Sequence, residues 1–424
     1  MNCLTSKELR RMKNVPDIRF KGFEDEWISV LFSNIAKISR GLTYSPSCIN
    51  TKGVRVLRSS NIVEGNFCIF DNDIFVNEKS VNIPFAHNKD ILITAANGST
   101  NLVGKHCLIN ISNEEKFVHG GFMLIAKSSE PEFLHYSMFS DWYRRFLRVG
   151  TTGGNGAICN LNKTELAKNK IFVSKYKCEK TKLSNLFVNL DNNIKTLHKK
   201  IASLKQLKSA CLISMFPQQG ETVPRVRFIG FNGEWKKKKL NSFSSRITRK
   251  NSKLESKLPV TISALNGIIE QTMFFNNIVA SSNLSGYYLM KKGEFAYNKS
   301  YSCGFPFGAV KRMDRYEMGA LSNLYIVFKI EDMVCDDYIL YLFETSTWHK
   351  EVSMRASEGA RNHGLLNIGA EDFLDIDIWV PNDKSEQHQI ASYFRNLDIQ
   401  ISEQEKRLEK LKQIKAACLD KMFV

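Results

Sequence analysis

The chain has 424 residues, 43% hydrophobic and 24% charged, which leaves room for two or three domains with proper cores and excludes a disordered or fibrous chain. Lysine and arginine outnumber aspartate and glutamate 60 to 43, a formal charge of +17, and such an excess favours a polyanionic partner, nucleic acid first. Ten cysteines without a CxxC pair point to reduced thiols, and no run approaches the ~18 apolar residues of a membrane span, so a soluble cytoplasmic protein is expected.

The opening MNCLTSKELRRMK has no apolar stretch suited to a signal peptide. The first distinctive segment is VPDIRFKGFEDEW at 15–27. Strand-like stretches follow at Val54–Leu57 and within NKDILIT, Asn88–Thr94. The run from Gly98 to His106 imitates a phosphate loop, but it has one residue too many between its glycines and His106 where a hydroxyl should hold magnesium. Asp90, Glu114 and Lys116 could form a nuclease-like set, yet such triplets arise often by chance and the second half of the chain offers no match. A helix is predicted over Phe133–Leu147, then a polar loop, GTTGGNG, at 150–156. Asn162–Glu165 has the form of a capping box and leads to a short strand, Lys170–Val173.

From Phe187, apolar residues fall at Leu190, Ile194, Leu197, Ile201 and Leu204, in steps alternating between three and four. That is the seam of a coiled coil. The helix should run for about 35 residues, roughly 50 Å, until Pro217 ends it. Lys175 to Phe216 carries nine lysines against Glu179 and Asp191, which reads as a solvated face that could also lie near phosphate.

Then the chain repeats itself. VPRVRFIGFNGEW at 223–235 returns the earlier segment at a shift of 208. The lysines Lys236–Lys239 read as a solvated patch. Strands are predicted at Pro259–Ala264, in KKGEFAY (Lys291–Tyr297) and at Ile376–Val380, and a helix over Asp336–Lys350. A second polar loop, RASEGARNHG, occupies 355–364. The final seam runs Phe394, Leu397, Ile401, Gln404, Leu408, Leu411. Residues 189–216 and 396–423, compared at a shift of 207, match at 14 of 28 positions. Both seams then slip one place, to Leu207 and Ile414, with Lys208 and Lys415 where apolar residues are due. A period this long denotes a duplicated domain, not a solenoid. Two seams separated by a folded domain pair most simply with each other, antiparallel. The expected fold is mixed α/β with a pseudo-two-fold duplication: globular domains over 13–175 and 218–384, and spacer helices over 176–217 and 385–424.

The two polar loops carry residue types that meet nucleic acid. Glycine permits close approach, while Thr152, Asn155, Arg355, Arg361, Asn362 and His363 can donate to phosphates and base edges. No catalytic constellation emerges. The eight histidines are dispersed without HExxH spacing, no Asn-Pro-Pro-aromatic tetrapeptide occurs, and no Gly-rich turn reads as a dinucleotide or adenosylmethionine pocket, so no metal or cofactor site is assigned.

The VPxIRFxGFxxEW borders, the NLDxxI…KLKQxKxACLxxMF helices and the divergent centres resemble the specificity (S) subunit of type I restriction–modification systems, from Val15 onward. VLRSSNI (56–62) and NGSTNLVGKHCLI (97–109) also resemble segments of that family's target-recognition domains. The resemblance implies a non-catalytic subunit whose two target-recognition domains each read half of a bipartite, asymmetric site in double-stranded DNA. It adds Asn97, Ser99, Thr100 and Lys105 to the candidate DNA contacts. It implies that helices bearing Leu190, Ile194, Leu197, Ile201, Leu204, Leu397, Ile401, Leu408 and Leu411 set the unread gap and dock two methyltransferase subunits. S-adenosylmethionine is then expected on those subunits, and ATP and Mg on restriction–translocase subunits of the full complex. The alternatives are a self-contained DNA endonuclease or modification enzyme, which would act on DNA alone, and a coiled-coil adaptor, whose binding would be indifferent to duplex and salt.

Overall fold

The computed structural model describes residues 14–111, 115–152, 159–275, 283–302, 304–356 and 366–424. It is mixed α/β. The chain divides into two compact units, Met1–His198 with Lys406–Val424 and Lys199–Glu405, the divisions falling inside both long helices. Among the described residues no helix is long and apolar enough to cross a membrane.

In unit 1 a four-stranded antiparallel sheet runs in the order His106–Leu108, Ile91–Thr94, Met123–Ser128, Ala36–Arg40. Ile91–Thr94 is buried along its whole length, which is why ILIT lacks polar alternation. A second sheet is ordered Phe117–His119, Val54–Leu57, Ile74–Val76, Ile49–Asn50, its first pair parallel. Ile28–Leu31 pairs antiparallel with Lys170–Val173, joining the start of the head to its end just before the first long helix.

Unit 2 reproduces the first sheet strand for strand: Ala309–Arg312, Phe295–Asn298, Ile326–Ile330, Ser244–Arg246. Its second sheet differs. Met318–Leu321, parallel to Pro259–Ser263, is flanked on its other side by Tyr288–Lys291, so the strand that ends the sheet in unit 1 is internal here. The closing pair is Lys236–Lys239 with Asp377–Val380. The lysine run is therefore a strand, and three of its four lysines are exposed, as a solvated patch requires. Lys239 bonds Asp375 at 2.6 Å and Lys237 lies over the ring of Trp379 at 5.4 Å, so backbone pairing and these neighbours override the repulsion of like charges.

The long helices are Lys177–Ser214 and Lys384–Lys421, 38 residues each and offset by 207. At 1.5 Å per residue each spans about 57 Å. Leu190, Leu197 and Ile201 of the first and Leu397, Ile401 and Leu408 of the second are buried, with Ile194, Leu204 and Leu411 partly so. The slip expected at Leu207 and Ile414 does not occur, since those side chains are 45% and 40% exposed. The seam keeps its register through Lys208 and Lys415 to Cys211 and Cys418, then to buried Met215 and Met422. Lysines hold apolar places because carboxylates wait opposite them.

The single head helices expected at Phe133–Leu147 and Asp336–Lys350 are each broken in two: Pro131–Ser137 and Asp141–Gly150, Asp336–Leu342 and His349–Arg355. At each break a hydroxyl turns back onto the preceding turn. Ser140 Oγ donates to the Ser137 carbonyl at 2.7 Å, and Thr345 Oγ1 to that of Leu342 at 2.7 Å. Such bonds compete with the helical ladder. Asn162 does cap Lys163–Lys168, its side chain accepting from the amides of Thr164 and Glu165.

Candidate nucleic-acid interface

The repeated border owes its composition to the helix ends. In unit 1, Arg19 Nε and Nη2 donate to both oxygens of Glu179, at 2.6 and 2.9 Å, in the first turn of Lys177–Ser214. The amide of Ile18 donates to the carbonyl of Lys421, the last residue of the other long helix, at 2.9 Å. Unit 2 repeats both contacts: Arg227 grips Glu386 at 2.7 and 2.9 Å, and the amide of Val226 meets the Ser214 carbonyl at 2.9 Å. One border thus locks one helix start and satisfies one orphan carbonyl at a helix end. The bond to buried Glu179 raises the Arg19 pKa further, so the guanidinium stays charged. Trp27 packs against Phe133 and Phe423, and Trp235 against Tyr338 and Phe216.

Within each unit the two helical segments run antiparallel, joined by a lysine clamp. In unit 1 Lys415 reaches Asp191 at 2.5 Å and lies 5.7 Å from the Tyr136 ring, whose hydroxyl also donates to Asp191 at 2.8 Å. In unit 2 Lys208 reaches Asp398 at 2.7 Å and lies 5.2 Å from the Tyr341 ring, whose hydroxyl donates to Asp398 at 3.0 Å. Glu344 adds a second carboxylate there, at 2.7 Å. Burial opposes the charge of Lys208, but Glu344 and Asp398 outweigh it and raise its pKa. Burial, then Asp191, likewise pushes the Tyr136 hydroxyl up, so the phenol remains a donor.

Three of the candidate DNA contacts, Asn97, Ser99 and Thr100, come together on one loop of unit 1: Asn97 Nδ2 donates to Ser59 Oγ at 3.3 Å, and Asn97 Oδ1 accepts the Ser99 amide at 2.9 Å. Ser99 and Thr100 are exposed beside them. Lys105, also exposed, lines a different cavity of about 300 Å³ with Arg144 and Tyr143. Thr152 lies on a two-residue strand paired to Asn160. Asn155, Arg361, Asn362 and His363 lie outside the described residues. Arg355 faces inward, bonding Glu351 at 2.7 Å and the Asp375 carbonyl at 2.8 Å, so its guanidinium is already occupied.

Two of the three residues of the nuclease-like set are described. Asp90 accepts the His87 amide at 2.9 Å in the turn before its strand, Lys116 pairs with Glu78, and Glu114 lies outside the described residues. Among the described residues no three His, Cys, Asp or Glu side chains gather as a metal site.

Around Asn97 the fold gathers residues that the sequence alone did not mark. Between Leu42–Tyr44, Arg58–Ser59, Ala96–Asn97 and Gly120–Met123 a cavity of about 470 Å³ opens, walled by Arg58, Asn97, Tyr44 and the 65% exposed ring of Phe122. The only available signal was the VLRSSNI segment, in which nothing local distinguishes Arg58 from a surface arginine.

No family model matches the chain, and a search of curated proteins gives no match. Solved structures do resemble it. The S subunit of a type I restriction–modification system from M. genitalium aligns over 97% of this chain and 99% of its own, with a TM-score of 0.58 at 12% identity. A chain from a structure on assembly and conformational transition of the type I restriction–modification system aligns over 94% and 97%, at TM-score 0.49 and 13% identity. The HsdS subunit from Thermoanaerobacter tengcongensis aligns over 94% and 96%, at TM-score 0.44 and 15% identity. On the first of these, the chain has the fold of a type I S subunit over nearly its whole length.

Proposed function

We propose that this chain is the DNA-recognition subunit of a type I restriction–modification complex and has no catalytic centre of its own. The observation that carries the proposal is one frame built twice, matched pair by pair near a 207-residue spacing, with unlike second sheets mounted on it. The S-subunit fold and the +17 charge support it. Identical readers related by a pseudo-two-fold would demand a palindromic site. Unlike heads suit two unrelated half-sites. The long helices would set the unread gap and dock two methyltransferase subunits, which would carry S-adenosylmethionine, while restriction–translocase subunits would consume ATP with Mg.

Sequencing methylated adenines in cells carrying and lacking the gene tests this. An asymmetric two-part motif should vanish with the gene; an unchanged set of motifs would sink the proposal. Cleavage or methylation by the purified chain alone would point to a self-contained enzyme instead.

A further inference from the structure

We infer that Arg58 of unit 1 reads a guanine through the major-groove edge of the base, a proposal that rests on the DNA-recognition role. The position is built with care. Asn61, fully buried, accepts the Arg58 amide at 2.8 Å and donates to the Cys68 carbonyl at 2.9 Å and to Asp73 at 3.0 Å. Asp73 is itself held by Arg55 at 3.0 Å and by the Phe70 amide at 2.9 Å. A satisfied buried network of this kind rigidifies the turn that carries Arg58.

The guanidinium itself is left over. Ten other arginines in the described residues are paired with carboxylates. Arg58 is the one arginine among the described residues that is neither exposed nor given an acceptor, and its Nε is buried without a partner. No Asp or Glu lines its cavity. Its Nε is closed to water without an acceptor, and the half-buried guanidinium has no carboxylate beside it, so an acceptor from outside would complete it.

The cavity walls indicate which acceptor. Asn97, held against Ser59, offers an amide, and Phe122 offers an exposed apolar face. Phe122 is pinned because its carbonyl accepts the amides of Ala95 and Ala96, at 2.9 and 3.1 Å. Gly41 lets the strands close here, since a Cβ on it would lie 1.9 Å from the Gly120 carbonyl oxygen. The fork of an arginine matches the O6 and N7 acceptors of guanine, and a neighbouring amide and an apolar ring suit a base better than a lone phosphate. Unit 2 has Ala264 and Leu265 after the corresponding strand, so its head lacks this contact. The guanine should belong to one half-site only.

The test uses the complex assembled with its methyltransferase subunits and duplexes varied one base at a time across both half-sites. Wild type should require guanine at one position of the unit 1 half-site, and 7-deazaguanine there should weaken binding. Arg58→Gln and Arg58→Lys should each lose about 5- to 150-fold of that preference while leaving the other half-site's preferences intact. The intact half-site shows that the variants are folded. An unchanged preference would overturn the inference. So would a uniform loss on all sequences with the salt slope reduced by about one, the signature of a phosphate contact. Wild type that binds every duplex equally would instead remove the DNA-recognition role beneath it.

Discussion

Unit 1 clamps Lys415 between Asp191 and the ring of Tyr136; unit 2 clamps Lys208 between Asp398 and the ring of Tyr341. Arg19 holds Glu179 as Arg227 holds Glu386, and one sheet has the same strand order in both. The other sheet does not: Phe117–His119 is an edge in unit 1, whereas its counterpart Met318–Leu321 has a second neighbour in Tyr288–Lys291. Arg58 follows the parallel strand in unit 1, and Ala264 follows it in unit 2. Duplication has kept the parts that close each head on the helices, where a change must be matched by a partner far along the chain. It has released the second sheet and the turn after its parallel strand, which under the proposed function would answer to the DNA.

Substitutions in the frame should therefore cost the two units alike. Trp27→Ala and Trp235→Ala remove indoles that are 3% and 2% exposed, and each should cost its own unit about 3–5 kcal/mol. Hydrogen exchange on Ile28–Leu31 and Lys236–Lys239 reads the two losses separately, and a large inequality would break the equivalence. Asp191→Ala and Asp398→Ala strip a clamp of its carboxylate. Because both sites are partly open to water, about 1–2 kcal/mol each is expected, with Asp398→Ala the milder since Glu344 still holds Lys208. Equal costs in urea unfolding would deny Glu344 that role.

Acid should separate the heads. Burial lowers the pKa of His106 and His119 to about 4, and that of His135 well below its usual value, all in unit 1; among the described residues unit 2 has only half-buried His349 clearly lowered. Native values below the unfolded ~6.5 mean the unfolded chain binds more protons, so this stability is present above pH ~6.5 and is lost as pH falls towards 4. From pH 7 to 6 unit 1 should lose about 2 kcal/mol and unit 2 less. Exchange on Ile91–Thr94 and Phe295–Asn298, corrected for intrinsic rates, would show it; equal losses would contradict the asymmetry.

Much of this was visible in the residues alone. The duplication, two long helices, their alternating three-four seam as far as Leu204 and Leu411 and the strand Val54–Leu57 were all legible, because periodicity and capping are set by neighbours in the chain. The meaning of the border segment was not. Arg19 and Glu179 lie 160 positions apart, and Asp191 and Lys415 lie 224 apart. Only the folded chain shows that the lysines in the seam are clamps, that Arg355 is spent on Glu351 and Asp375, and that Arg58 has no acid at all. Which charges are paired is decided by what the fold brings within about 3 Å, and a linear sequence carries no record of that distance.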